Sequence, residues 1–156
     1  MAKIRSKILF KVDLINYPNA QIPKVSRKGD VGYDIFSAVN DRIAPGETKI
    51  IKTGVFLASM PATIEHESVF LKIEGRSGMA SKGIFPVGGV IDPNYRGEIG
   101  VILHNSSKED YVIESGDRIA QLLIYSIFTE RDVIFVETNN ITKTNRSSNG
   151  FGSSGK

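Results

Sequence analysis

Short apolar runs punctuated by turn residues fill most of the chain, and their period is two. Residues 62–71 alternate, with Ile64, His66, Ser68 and Phe70 on one side and Thr63, Glu65, Glu67, Val69 and Leu71 on the other. That is the pattern of a half-buried strand. Further strands are expected over 8–15, 48–58, 98–104, 119–127 and 133–136, all rich in the Val, Ile, Phe and Tyr that suit a pleated surface. Turn chemistry separates them at Ala44-Pro45-Gly46-Glu47, Ser59-Met60-Pro61, Asp92-Pro93-Asn94 and Ser115-Gly116-Asp117. A helical period is absent from every window of useful length, so one short helical turn around 77–82 is the only helix predicted. The expected class is all-β, a barrel or sandwich.

The pattern changes at Asn139. From there to Lys156 the chain is mostly Asn, Thr, Ser, Gly and Lys, with little to bury. Two parts are therefore expected: a β domain over 1–138 and a flexible, glycine- and serine-rich arm over 139–156.

Composition narrows the chemistry. A length of 156 residues suits one domain with its own core. The net charge of +3 favours anionic ligands but is too small to argue for nucleic acid. The absence of cysteine excludes disulfides, thiolate catalysis and cysteine-based zinc sites. His66 and His104 are the only histidines and have no ligand spacing around them, so both are expected to be structural. Ile8–Phe10 is too short for a signal-peptide core, and no stretch approaches the ~20 apolar residues of a membrane span. A soluble, intracellular protein is expected, with no membrane partner.

Four segments carry groups suited to chemistry. The tail Asn149-Gly150-Phe151-Gly152-Ser153-Ser154-Gly155-Lys156 can fold its backbone N–H groups into an anion nest, with Arg146 and Lys156 adding charge. It lacks the strand and helix that a phosphate-binding loop needs, so a plain flexible tail stays open. In Gly75-Arg76-Ser77-Gly78-Met79-Ala80, a forked guanidinium, a hydroxyl and close-approach glycines suit phosphate oxygens. The run Gly88-Gly89-Val90-Ile91-Asp92-Pro93-Asn94-Tyr95-Arg96-Gly97-Glu98 reads as two short strands joined by a rigid turn. Asp92 at its tip is either a general base or a cap of its own turn, and Tyr95 offers a flat face for a base or sugar. In Gly116-Asp117-Arg118-Ile119-Ala120-Gln121-Leu122, the polar Gln121 interrupts an apolar strand, as Asp34 does in 31–37. Each needs a partner, either a ligand or neighbouring backbone.

In this order the segments resemble the five motifs of the trimeric dUTPase family: 31–37, 75–80, 89–100, 116–122 and 146–155. The resemblance runs from about residue 25 to the end. It implies a jelly-roll-type β-barrel that forms a homotrimer, with active sites shared between subunits and dUTP hydrolysed to dUMP and pyrophosphate with Mg2+. Asp92 matches the aspartate that activates water, and Tyr95 the tyrosine under the deoxyribose. The backbone of Gly89, Val90, Ile91 and Gly100 matches the uracil-binding hairpin. Arg76, Ser77, Gly78 and Gln121 match phosphate-contacting positions, with Gln121 counted among the catalytic groups. Asp34 resembles an acid that meets the metal only through water, the triphosphate holding most of it. Arg146, Phe151 and Gly152 match the closing arm, Phe151 over uracil and Arg146 on the γ-phosphate.

Departures are few. Ser147 and Asn149 stand where the fifth motif commonly has glycine, Gly75 replaces a usual Pro, and Pro93-Asn94 replaces an acidic pair. The related dCTP deaminases carry a catalytic Glu at the position of Ile102, and an apolar side chain cannot move protons. A non-catalytic scaffold is the other alternative, and it would not need Asp92, Tyr95, Arg76, Gln121 and Phe151 together.

Overall fold

The computed structural model describes residues 6–144 and confirms an almost entirely β chain. The largest sheet runs in the order β2 (Tyr33–Phe36), β12 (Arg118–Ile127), β7 (Glu67–Glu74), β6 (Thr63–Ile64), with β9 (Val90–Ile91) also on β7. A second sheet orders β4 (Thr48–Ile51), β10 (Val101–Asn105) and β8 (Ile84–Pro86). Two pairs complete the fold: β1 (Leu9–Val12) with β5 (Val55–Ser59), and β3 (Asp41–Ile43) with β11 (Tyr111–Ile113).

Alternation closes these sheets around one core. Val69, Leu71 and Ile73 of β7 and Val101 and Leu103 of β10 point inward, meeting Ile35, Ile51, Leu57, Ile84 and Ile119. Each such side chain, once fully buried, stabilises the fold by about 1.5–3 kcal/mol. Asn105 is one of four buried polar residues among those described, with Asp34, Ser37 and Thr53. Its Nδ2 donates to the Ile43 and Glu109 carbonyls and its Oδ1 accepts from Ser107 N–H, so both polar atoms of its side chain are paired.

Several expected boundaries move. Residues 62–71 are not one strand: they form a hairpin, with Ile64 opposite Glu67 and the chain turning at Glu65 and His66. Both turn residues have positive φ, 51° and 73°, in a two-residue loop that usually takes Asn or Gly. Without those residues the turn carried no sequence signal. The 48–58 run divides into β4 and β5 at Lys52, Thr53 and Gly54, where Gly54 has φ +65°. Residues 133–136 form no strand, and Ile134 and Phe135 are exposed. Their β propensity finds no partner strand among the described residues, which is what a ladder requires. The last strand among the described residues ends at Ile127, ahead of the expected domain boundary at 138. Three-residue strands β3, β8 and β11 were too short to declare a period.

The helical turn is present as α1 (Ser77–Ala80), followed by a turn through Gly83 and anchored by buried Met79. His104 packs as a structural residue: its Nδ1 lies 2.9 Å from Thr48 Oγ1 and its ring tilts against Phe85. Among the described residues no helix is long and apolar enough to cross a membrane.

Candidate active site

Two clusters of functional groups form, at different places on the large sheet. The first is a polar cleft of about 420 Å3 lined by Ser26, Asp34, Arg76, Ser77, Arg118 and Gln121, among others. Antiparallel pairing builds it: β12 lies between β2 and β7, so Gln121 is opposite both Asp34 and Glu74. Beyond Glu74 the chain turns into α1, which brings Arg76, Ser77 and Gly78 to the same rim.

Asp34 organises this cleft. Its Oδ1 accepts from Arg76 Nε at 3.2 Å, and its Oδ2 faces Arg118 NH1 at 3.5 Å and accepts a short hydrogen bond from Ser26 Oγ. Arg76 is held again by its NH1 donating to the Arg118 carbonyl at 3.0 Å. Gln121 Nε2 donates to the Gly75 carbonyl at 2.8 Å, which fixes the β12 strand to the turn before α1. Two guanidinium groups thus share one buried carboxylate and line a polar cleft. Such an arrangement receives polyanions.

The second cluster is a slot of about 170 Å3 between the arms of the 88–100 loop, lined by Gly89, Val90, Ile91, Asp92, Tyr95 and Gly100, among others. The arms pair outward. Val90 and Ile91 ladder with Lys72 and Leu71 of β7, and Ile99 N–H donates to the Val55 carbonyl. Gly89 makes the near arm possible: its φ is +105°, and a Cβ there would come within 2.9 Å of Ile73 Cβ.

At the tip, Tyr95 N–H closes a turn on the Asp92 carbonyl, and Arg96 NH1 donates to the carbonyls of Pro93 and Tyr95. Backbone and Arg96 therefore hold the turn. The Asp92 carboxylate is exposed and makes no hydrogen bond or ion pair among the described residues, so it does not cap its own turn. Tyr95 is 44% exposed, with its hydroxyl donating to the Glu98 carbonyl at 3.0 Å. Beside this slot, a larger groove of about 620 Å3 runs from Asp92 to Ile127 and Arg131.

A family model described as dUTPase matches residues 18–155. The chain belongs to the dUTPase family. Its relatives include the deoxyuridine 5'-triphosphate nucleotidohydrolase of Vaccinia virus (strain Copenhagen), 42% identical over 87% of this chain and 86% of the relative. Among solved structures it is similar to a Staphylococcus bacteriophage 80alpha dUTPase with dUPNHPP, at 30% identity and TM-score 0.78, covering 96% of this chain and 99% of the other. It is similar also to a mutant dUTPase of phage phi11 of S. aureus, described with a structural Mg(II) ion, at 28% identity and TM-score 0.68 over 86% and 99% of the two chains. The jelly-roll-type all-β dUTPase fold expected from the motifs is thereby established.

The dUTPase motifs separate cleanly between the two clusters. Asp34, Arg76, Ser77, Gly78 and Gln121 meet in the polar cleft, while Gly89, Val90, Ile91, Asp92, Tyr95 and Gly100 line the slot. Arg146, Phe151 and Gly152 lie outside the described residues. Sequence reasoning passed over Ser26, Arg27 and Arg118, which the fold adds to the cleft. Arg118 had a signal, a cation at the start of an apolar strand beside Gln121; Ser26 and Arg27 sit in an irregular segment and had none.

Proposed function

We propose that this chain binds dUTP with its base and sugar in the Asp92–Tyr95 slot and its triphosphate on an Asp34–Arg76–Arg118 cleft. It hydrolyses dUTP, the activity of its family, to dUMP and pyrophosphate, which lowers dUTP and supplies dUMP for dTMP synthesis. The supporting observation is the division of labour between the clusters. The cleft holds cations but no unpaired carboxylate, the slot holds a free carboxylate but no phosphate clamp, and they share no lining residue. A site assembled from two copies of the chain unites them, in keeping with a homotrimer. Exposed apolar groups near both clusters, Val31, Val90 and Phe128, supply surface for such an interface.

The chemistry follows from placement. Arg76, Arg118, Ser77 and the second amide proton of Gln121 bind triphosphate oxygens and restrain the chain of phosphates for in-line attack. Asp92 accepts a proton from the water that attacks the α-phosphorus. The bond from that phosphorus to the bridging oxygen breaks, and pyrophosphate leaves. The uracil edge fits between the outward-paired arms, and the Tyr95 ring lies under the sugar, leaving no room for a 2′-hydroxyl. Phe151 and Gly152 cover the base, and Arg146 takes the γ-phosphate.

Mg2+ fits as a companion of the triphosphate. Among the described residues no cluster of three His, Cys, Asp or Glu forms a metal cage. Asp34 is already committed to two arginines and Ser26, which suits contact through water rather than direct ligation. When bound, the ion neutralises phosphate charge.

Pyrophosphate release from dUTP, dTTP, dCTP and UTP, each with Mg2+, tests the reading. Release from dUTP far above the other three is the expected result. Equal release from all four, or ammonia from dCTP, contradicts it.

A further inference from the structure

Glu98 adds a side-chain tie between the far arm of the slot and the residues after β4, which the backbone also joins through the Phe56–Glu98 bridge and through Ile99 N–H on the Val55 carbonyl. Its Oε1 accepts from the backbone N–H of Thr53 at 3.1 Å and of Gly54 at 3.0 Å, and its Oε2 pairs with Lys52 Nζ at 2.9 Å. Those three residues are the break between β4 and β5. Thr53 is fully buried and returns the connection, its Oγ1 donating to the Ile99 carbonyl at 2.7 Å. The turn and the far arm of the slot are thus bonded to each other in both directions.

The backbone of the same residue holds the aromatic wall of the slot. The Glu98 carbonyl accepts the Tyr95 hydroxyl at 3.0 Å. The ring reaches it by folding across Gly97, where a Cβ would stand 2.3 Å from the hydroxyl oxygen and 2.5 Å from Cζ. The tilt of the Tyr95 ring therefore depends on where the Glu98 peptide sits, and the Glu98 carboxylate joins the backbone bridge to Phe56 in fixing that peptide. Lys52 contributes less to the placement. It is half in solvent, and its ammonium is held above its ordinary pKa by the hydrogen bond and charge of Glu98.

We propose that Glu98 is a positioning residue for sugar selection: its carboxylate, anchored on the Thr53 and Gly54 amides, sets the angle at which Tyr95 excludes a ribose. This rests on the assignment of Tyr95 to the sugar. A neutral acceptor serves as well as a charged one, because one oxygen makes both amide contacts. Removal of the acceptor takes away the two amide anchors of the hairpin base, leaving its backbone bonds to Val55 and Phe56, and lets the ring move away from the 2′ position.

The test measures kcat/KM for dUTP and for UTP separately in the wild type, Glu98→Ala, Glu98→Asp, Glu98→Gln and Lys52→Ala, beside thermal unfolding of each. Glu98→Ala should lower the dUTP-to-UTP ratio by about tenfold to a hundredfold, the scale of a misplacement near 1 Å. Glu98→Asp, too short to reach both amides, should lose part of the same ratio and serves if the alanine variant does not fold. Glu98→Gln and Lys52→Ala should keep the wild-type ratio. A parallel loss on both nucleotides with the ratio unmoved would make Glu98 merely structural and overturn the inference, as would Glu98→Gln behaving like Glu98→Ala. Wild-type protein that turns over UTP as well as dUTP would overturn the assignment of Tyr95, and the inference with it.

Discussion

Arg76 Nε stands 3.2 Å from Asp34 Oδ1, and through that contact a buried acid decides where the cations of the polar cleft point. A second guanidinium, Arg118, faces the other carboxylate oxygen. Asp34 therefore holds in place two long, mobile side chains that would otherwise spread over many rotamers.

Asp34→Ala should release both arginines and lower kcat/KM for dUTP by about tenfold to a hundredfold. Asp34→Asn keeps one acceptor and should fall in between. Steady-state kinetics with a Mg2+ titration checks both, since altered metal dependence alone would place Asp34 at the ion instead of at the arginines.

Asp92→Asn should keep nucleotide affinity while turnover drops by about 10²–10⁴-fold, the usual worth of a general base. The carboxylate has no described partner to lose, so folding should be unaffected. Calorimetric binding of a non-hydrolysable analogue, read beside single-turnover rates, separates affinity from chemistry.

Deleting 146–156 removes Arg146, Phe151 and Gly152 and keeps every described strand, from Leu9 to Ile127. The oligomeric state should remain, and turnover of dUTP should collapse. Sedimentation and kinetics on the truncated chain check the two halves of this expectation; near-normal kcat/KM would remove the arm from the reaction.

The β6–β7 turn offers a stability test remote from both clusters. His66 has φ 73°, a conformation that costs an L-residue about 1–2 kcal/mol and a glycine little. His66→Gly should therefore raise stability, by about 0.5–1 kcal/mol once the extra freedom of glycine in the unfolded chain is counted. A denaturant midpoint that rises at constant slope is the expected readout.

Local chemistry was legible wherever it resided in residue type. Alternation exposed the inward faces of the strands, Asp92-Pro93-Asn94 announced a rigid tip, and Gln121 and Asp34 stood out as polar groups within apolar runs. The hairpin at Glu65 and His66 was invisible, because its turn uses residues that ordinarily avoid positive φ. The 133–136 run misled in the opposite sense: Val, Ile and Phe favour strands, yet a strand exists only where another chain segment offers a ladder.

By itself the sequence determined that the chain is all-β, that it carries no cysteine, and that five ordered motifs place it beside the dUTPases. The tertiary structure alone decided that Asp34 pairs with Arg76 and Arg118, that Asp92 stands free, and that Glu98 ties the 52–54 turn to the slot. The reason is range. Turn propensity and strand period are written within a few neighbouring residues, whereas these contacts join positions 42 to 84 residues apart in the chain, as from Arg76 to Arg118 and from Asp34 to Arg118.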